Sequence, residues 1–210
     1  MDVIFWIAKQ LLVCFFVIIF IDWILMSLPC LDFSKKQYPR QFHIRHSNRI
    51  DFQKKYECSA FSTAFLLRHF DIKADGIQIY NEMPNKMRSG CVYPKGIRNY
   101  LKNKGFKTMF YKGTIHSLKR QVSKGIPVIA FIKVNLEKND THYVPVVGYD
   151  EEYIYIAESL NYLANCQESD GVYNRKVPIR EFKKLWNIKN IRMPIYSNTY
   201  ITVKNKSAHT

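Results

Sequence analysis

The sequence predicts an α+β fold preceded by one N-terminal transmembrane helix. A long apolar run comes first, helical periodicity follows after residue 50, and β-branched strand patterns dominate toward the C-terminus. Helices followed by strands favour an α+β architecture over alternating βαβ units. Of the 210 residues, 47% are hydrophobic and 15% are aromatic, which excludes a disordered chain and suits a single core.

Residues 1–30 are predicted to form a membrane anchor. The run over residues 3–29 contains only Lys9 and Asp22 as charged residues, and about 20 apolar residues suffice to cross a bilayer. A cleaved signal peptide has a shorter apolar run and a small-residue cleavage site, and neither is clear here. A buried core helix is the alternative, which an apolar run of this length at an N-terminus disfavours.

Residues 31–50 are polar, basic and weakly periodic, so we predict a juxtamembrane linker that suits anionic lipid head groups. The charges give opposing indications of membrane orientation. Lys9 stands before the tighter apolar window of residues 11–29 and is typical of a signal anchor, which would place residues 31–210 outside the cell. The positive-inside rule favours the cytoplasm instead, because five basic residues follow the span: Lys35, Lys36, Arg40, Arg45 and Arg49.

Residues 51–210 are predicted to form one domain. Pro94 suits the first turn of a helix and Gly105 its end, while Thr114 suits a helix cap. Pro145 predicts that its strand is either an edge strand or a bulged strand. The predicted helices are residues 59–70, 93–104, 114–124 and 179–186, and the predicted strands are residues 106–111, 127–134, 142–149, 153–157, 172–177 and 199–203.

Cys58 stands immediately before the helix predicted from Ser59. The start of a helix presents unsatisfied backbone N–H groups and a partial positive charge. Both stabilise a thiolate, which is the nucleophilic form of cysteine. Cys58 is therefore a candidate nucleophile, and the alternative is a buried cysteine that packs as a small hydrophobic residue.

Two residues of a predicted hairpin complete a candidate site. His142 begins one strand and Glu158 ends the next, with Asp150, Glu151 and Glu152 in the turn. A histidine there suits a general base for a thiol, and a carboxylate beside it fixes the tautomer of the imidazole. Gln53, upstream of Cys58, suits an oxyanion donor together with the Cys58 N–H. The alternatives are a packed histidine, a solvated carboxylate and a surface amide.

Residues 53–70, 125–132 and 142–158 together resemble the papain-like cysteine peptidases of the bacteriocin-processing, double-glycine type. The resemblance covers about half of the chain. It implies a papain-like fold, in which an N-terminal helical half carrying Cys58 packs on a C-terminal antiparallel sheet carrying His142. It also implies a thiol peptidase that acts on a peptide or protein substrate. Cys58 would be the nucleophile, His142 the base and then the acid, Glu158 the orienting carboxylate and Gln53 the oxyanion donor.

Three positions depart from the usual pattern of that family. Glu158 replaces an aspartate and is one methylene longer, Gln53 lies about one residue closer to the nucleophile, and Ser59 stands where glycine is frequent. Two alternatives to a peptidase therefore stay open. One is a catalytically inactive module that binds peptides or confers immunity, and the other is a thiol acyltransferase or amidase of the transglutaminase-like type.

The remaining signals concern ligands and location. The sequence has no glycine-rich phosphate loop, and His43 and His46 lack cysteine or carboxylate partners, so we predict no nucleotide and no metal. The net charge of +15 suits an anionic lipid or an acidic cell-wall polymer, without the fingerprint of a nucleic-acid-binding module. Cys91 and Cys166 would pair only in an oxidising compartment. The resemblance favours a single-pass protein of the cell membrane with an extracytoplasmic domain.

Overall fold

A computed structural model describes residues 2–25, 28–33, 36–138, 140–167, 172–190, 193 and 195–205. The helices of this described part are α1 (Asp2–Leu25), α2 (Cys58–His69), α3 (Gly76–Glu82), α4 (Pro94–Asn103), α5 (Ile115–Val122) and α6 (Ile179–Trp186). Its strands are β1 (Cys30–Leu31), β2 (Phe42–His43), β3 (Phe106–Lys112), β4 (Val128–Lys133), β5 (Thr141–Tyr149), β6 (Tyr153–Ile156), β7 (Arg175–Pro178) and β8 (Thr199–Asn205). A short 3-10 helix covers Asn161–Leu163.

All eight strands belong to one sheet. Its order is β1-β3-β8-β4-β5-β6-β7, and β2 pairs with β5 off this path. Only the β1–β3 pair is parallel, while every other pair is antiparallel. The predicted α+β class is confirmed, and β5 lies in the interior of the sheet, where its residues are almost completely buried.

The local sequence signals explain where the helices begin and end. Pro94 is the first residue of α4, and the Thr114 hydroxyl accepts a hydrogen bond from the Ser117 N–H at the start of α5. Gly105 and Gly125 follow these two helices with φ of 89° and 84°, a left-handed conformation that glycine adopts without steric cost. Helix α3 was not predicted, because its seven residues are too few for a periodic pattern.

Pro145 sits inside the sheet, although proline favours edge strands. It lies opposite Ile129 in the β4–β5 pair, and its carbonyl accepts a hydrogen bond from the Ala157 N–H. The β5–β6 register shifts just after it, between Val146 and Gly148. Of the two expectations for Pro145, an edge strand or a bulged strand, the structure therefore shows the bulge.

Helix α1 has the length and composition of a membrane span. Residues 3–21 have a mean hydropathy of 2.5, and none of that window is buried against the rest of the protein. A core helix would bury its apolar side chains, and α1 instead exposes residues such as Phe5, Leu11 and Phe16. The side chain of Asp22 lies outside the described residues.

The segment after α1 pairs with the sheet at two places. Strand β1 lies beside β3 with Cys30 opposite Tyr111, and β2 lies beside β5 with His43 opposite Gly148. Two-residue strands leave no periodic signal, so the sequence did not predict them. The division of the chain at residues 30/31 and 50/51 stays a prediction.

Helix α2 packs against β5 and so brings Cys58 toward the sheet. Its residues from Cys58 to Leu67 are buried, which explains why apolar residues occur on all its faces. The Ser62 hydroxyl donates a 2.9 Å hydrogen bond to the carbonyl of Tyr143 on β5. This contact fixes the helix beside the residue that follows His142.

Candidate active site

Cys58 is the first residue of α2, so this helix begins one residue earlier than the sequence predicts. Glu57 occupies the N-cap position, and the Cys58 side chain is about nine-tenths buried. Cys58 lines a surface cleft of about 300 Å³ together with His142 and Gln53. Three of the four candidate residues therefore meet at one cleft, although they come from segments that are far apart in the chain.

His142 and Glu158 form a buried pair. Nε2 of His142 lies 2.6 Å from Oε1 of Glu158, and their side chains are 2% and 0% exposed. The β5–β6 hairpin brings the start of one strand beside the end of the other, which accounts for this proximity. Cys58 lines the same cleft as His142, and it contributes to the raised pKa of His142. Because Nε2 faces the carboxylate, Nδ1 is the ring nitrogen left for the thiol.

The Glu158 carboxylate is held from several sides. Nη1 of Arg175 donates to Oε2 at 2.8 Å, and the Leu160 N–H donates to Oε1 at 2.8 Å. The side chain of Asn174 accepts from the Glu158 N–H at 2.7 Å and donates to the Glu158 carbonyl at 2.9 Å. Both the main chain and the carboxylate of Glu158 are therefore fixed.

The electrostatics of the pair favour the ionised forms. Burial alone would lower the pKa of His142, but the Glu158 carboxylate and Cys58 outweigh it and raise that pKa well above the ordinary value. Burial would raise the pKa of Glu158, but His142, the Leu160 N–H and Arg175 outweigh it and lower that pKa. An imidazolium beside a carboxylate is the expected state at neutral pH.

Gln53 lies at the edge of the same cleft. Its Nε2 donates to the carbonyl of Lys55 at 2.7 Å, and its Oε1 accepts from the Ser159 hydroxyl at 2.7 Å. The Gln53 N–H also donates to the Ser159 carbonyl at 2.9 Å. These bonds orient the amide and leave one of its two N–H groups to donate into the cleft.

The rest of the cleft is lined by residues of mixed character: Lys55, Tyr56, Cys91, Val134, Asp140, Thr141, Leu160 and Tyr162. Burial raises the pKa of the Cys91 thiol, and the neighbouring Cys58 and Asp140 add to the effect. No disulfide joins the five cysteines, all of which lie within the described part of the chain. Cys91 and Cys166 are accordingly not bonded to each other.

The two histidines considered for a metal point to other partners. The ring of His43 packs 4.4 Å from that of Tyr155, while Nε2 of His46 lies 3.2 Å from Asp71. Across the described ranges, no cluster of three or more His, Cys, Asp or Glu side chains has an arrangement that would hold a metal ion.

Sequence reasoning missed Arg175, Asn174 and Ser159. One signal for Arg175 was available, because β7 alternates buried and exposed residues and Arg175 shares its buried face with Val177. Alternation places such a residue toward the core, and a buried arginine is expected to have an ionic partner. The hydrogen bonds of Asn174 and Ser159 depend on loops whose paths carry no periodic signal.

Comparison with known proteins identifies relatives of the chain. The profile of the Peptidase_C39 like family matches residues 36–190. A search of curated protein sequences gave no match. A C39-like peptidase from Bacillus anthracis has a similar structure, with a TM-score of 0.60 and 20% identity over 80% of this chain and 99% of that one.

Two further solved structures are similar. The peptidase domain of Streptococcus ComA, a bifunctional ABC transporter, has a TM-score of 0.55 and 14% identity over 77% of this chain and 100% of that one. A double glycine motif protease from an AMS/PCAT transporter, solved with its leader peptide, has a TM-score of 0.50 and 17% identity over 79% and 99%. The predicted papain-like fold is confirmed by these likenesses.

Proposed function

Because the chain belongs to the Peptidase_C39 like family and is a cysteine peptidase, we propose that Cys58, His142, Glu158 and Gln53 carry out its chemistry. The observation that carries this proposal is the placement of Cys58 beside His142 in an open cleft, with Glu158 2.6 Å from the far side of the imidazole. A nucleophile, a base and an orienting group in that order are the arrangement that thiol catalysis needs.

In the proposed reaction, the Cys58 thiolate attacks the carbonyl carbon of a peptide bond while His142 is an imidazolium. The oxyanion accepts hydrogen bonds from the Cys58 N–H and the Gln53 amide. His142 then donates its proton to the leaving amine, which departs and leaves a thioester on Cys58. A water molecule gives a proton to His142 and attacks the thioester, which releases the acid and restores the thiolate–imidazolium pair.

Glu158 takes the place of the aspartate that is usual in the resembling peptidases. The extra methylene is accommodated here, since the hydrogen bond between the carboxylate and the imidazole is 2.6 Å long. The carboxylate is fully buried, and it stabilises the imidazolium in the same manner as an aspartate. An active enzyme is thus compatible with this departure from the family pattern.

The deciding experiment uses the full chain in detergent or nanodiscs. We expect cleavage of a peptide library by the native protein and no cleavage by Cys58→Ala or His142→Ala. Stoichiometric labelling of Cys58 by a thiol-reactive probe, lost in His142→Ala, supports an activated nucleophile. A Cys58→Ala protein that still cleaves peptides overturns the proposal.

Two outcomes of the same experiment would favour another function. Slow labelling of Cys58 without cleavage, but with peptide binding, indicates an inactive binding module. Products that incorporate an added amine in place of water indicate acyl transfer, since an acyl-thioester reacts with either nucleophile. The substrate we propose is a peptide; a leader peptide is the ligand of the related transporter protease.

We further propose that α1 anchors the enzyme as a single-pass protein of the cell membrane, with the catalytic domain outside the cytoplasm. Helix α1 has suitable length and hydropathy. The test is protease treatment of intact cells. Digestion of the C-terminal domain supports the outward orientation, whereas digestion only after permeabilisation contradicts it.

A basic surface beside β1 suits contact with anionic lipid. Burial lowers the pKa of Lys124, and the charges of Lys204, Arg120 and Lys36 add to this effect while Asp32 opposes it. Leu31 and Phe33 expose 57% and 77% of their area shortly after α1 ends. Exposed apolar side chains next to lysines are typical of a surface that lies in a membrane interface.

Acetylation of lysines in nanodiscs tests the lipid contact. We expect Lys36 and Lys204 to be protected when anionic lipid replaces neutral lipid, while Lys102 on α4 serves as the control. Equal modification in both lipids contradicts the proposal. Protection by an added acidic polymer in neutral nanodiscs would instead indicate a cell-wall partner.

A further inference from the structure

From the geometry around Glu158, we infer that Arg175 is a positioning residue that enables a glutamate to serve as the orienting carboxylate. The guanidinium binds one carboxylate oxygen, so that the other faces His142. This inference rests on the proposed function and adds a fourth residue to it. Arg175 contacts neither the thiol nor the substrate site and acts only through Glu158.

The two oxygens of Glu158 have separate partners. Oε2 accepts from Nη1 of Arg175 at 2.8 Å, and Oε1 lies 2.6 Å from Nε2 of His142. The side chain of Arg175 is only 7% exposed, and that of Glu158 is not exposed at all. When a buried carboxylate bridges two cations, the orientation of its plane is fixed, because rotation would break both charge-assisted hydrogen bonds.

Glutamate needs this help more than aspartate does. Its side chain has one more rotatable bond, and each torsion that is held still costs conformational entropy. Arg175 lies opposite Ile156 in the β6–β7 pair, and Ile156 is two residues before Glu158 in the chain. Asn174, which precedes Arg175, holds the main chain of Glu158. Arg175 at the start of β7 and Asn174 just before it thus fix both the carboxylate and the backbone of Glu158.

The charges of the site also balance when Arg175 is included. A thiolate, an imidazolium, a carboxylate and a guanidinium sum to zero, which reduces the cost of burying them together. Without Arg175, the same site would hold one uncompensated negative charge. The other titratable groups that line the cleft near His142 are Lys55, Tyr56, Cys91, Asp140 and Tyr162, and Tyr143 follows it on β5.

The test compares Arg175→Met and Arg175→Lys with the native full-length enzyme on a peptide that it cleaves. We expect Arg175→Met to lower kcat by about 10- to 100-fold, the usual loss when an outer residue that orients a site is removed, with little change in KM. The alkaline limb of the pH profile moves to higher pH, because the site without the guanidinium carries one more net negative charge, which favours the imidazolium form of His142. Arg175→Lys restores part of kcat, since lysine keeps the charge but not the planar fork.

Rates are expressed per reactive Cys58 thiol, so a smaller folded fraction does not count as lost catalysis. A merely structural role would lower that fraction without moving the alkaline limb. An unchanged kcat and an unchanged limb in Arg175→Met overturn the inference. If Cys58→Ala still cleaves, the proposed function fails; if only the Arg175 variants behave as native, the failure is confined to this inference.

A second variant decides the question if Arg175→Met does not fold. Glu158→Asp shortens the carboxylate, which then cannot contact Arg175 and His142 together, so we expect a loss of kcat of at least about 10-fold. In the Arg175→Lys background, which keeps the charge but not the planar fork, the same change is expected to cost less, which is the signature of coupled residues. Full activity of Glu158→Asp in the native background overturns the inference.

Discussion

Asp32 and Arg120 form a buried ion pair that ties the segment after α1 to helix α5. Nη2 of Arg120 lies 2.6 Å from Oδ1 of Asp32, and the two side chains are 8% and 5% exposed. Oδ2 of Asp32 accepts further hydrogen bonds from Gln121 at 2.8 Å and from the Tyr200 hydroxyl at 2.7 Å. The chain that leaves the predicted membrane span is therefore fastened to the domain almost at once.

We expect Asp32→Ala to destabilise the protein strongly. It leaves the Arg120 guanidinium buried without its carboxylate, and removing one partner of a buried ion pair costs about 3–5 kcal/mol. The free energy of unfolding can be measured by pulse proteolysis of the full chain in detergent. Glu151→Ala is the control, because the Glu151 side chain is 71% exposed and exposed pairs contribute little. Equal stability of the two variants would contradict this account.

The stability contributed by the His142–Glu158 pair is expected to depend on pH in both directions. The raised pKa of His142 means that its contribution is complete below the unfolded value of 6.5 and is lost as pH rises through the folded value. The lowered pKa of Glu158 means that its contribution is complete above the unfolded value of 4.5 and is lost as pH falls through the folded value. The pair therefore stabilises most between these two unfolded values.

Glu158→Gln tests this dependence. The variant should lose about 3–5 kcal/mol of unfolding free energy in that pH window, and the difference from the native protein should shrink as the pH becomes alkaline. Unfolding is measured at several pH values, with Glu151→Gln as the control, because the Glu151 side chain is 71% exposed. A difference that is constant with pH would show that the pair is not ionised in the native protein.

The sequence indicated the candidate site residues, but not the residues that hold them in place through hydrogen bonds. The hairpin predicts that His142 and Glu158 lie side by side, whereas the approach of Cys58 to His142 was implied only by the family resemblance. Arg175, Asn174 and Ser159 act through hydrogen bonds from β7 and from loops, and no spacing rule connects them to Glu158 or Gln53. The strands β1 and β2 were missed for a related reason, since their pairing depends on partners far away in the chain.

Gln53→Ala is expected to lower kcat more than it raises KM. The amide would bind the oxyanion, which exists only after attack on the carbonyl, so its loss affects the transition state rather than substrate binding. Loss of one such donor typically costs about 10²–10³ in rate. The measurement is kcat and KM on a cleaved peptide, with the active fraction determined by titration of Cys58.

Ser159→Ala is a milder variant for comparison with Gln53→Ala. The Ser159 hydroxyl orients the Gln53 amide through a 2.7 Å hydrogen bond, but the Gln53 N–H bond to the Ser159 carbonyl remains. We expect a smaller loss of kcat, on the order of a few-fold, because one net hydrogen bond is worth about 1 kcal/mol. Combined with Gln53→Ala, the serine change should have almost no further effect, since the amide that it orients is gone. Additive losses in the double variant would mean that Ser159 does not act through the Gln53 amide.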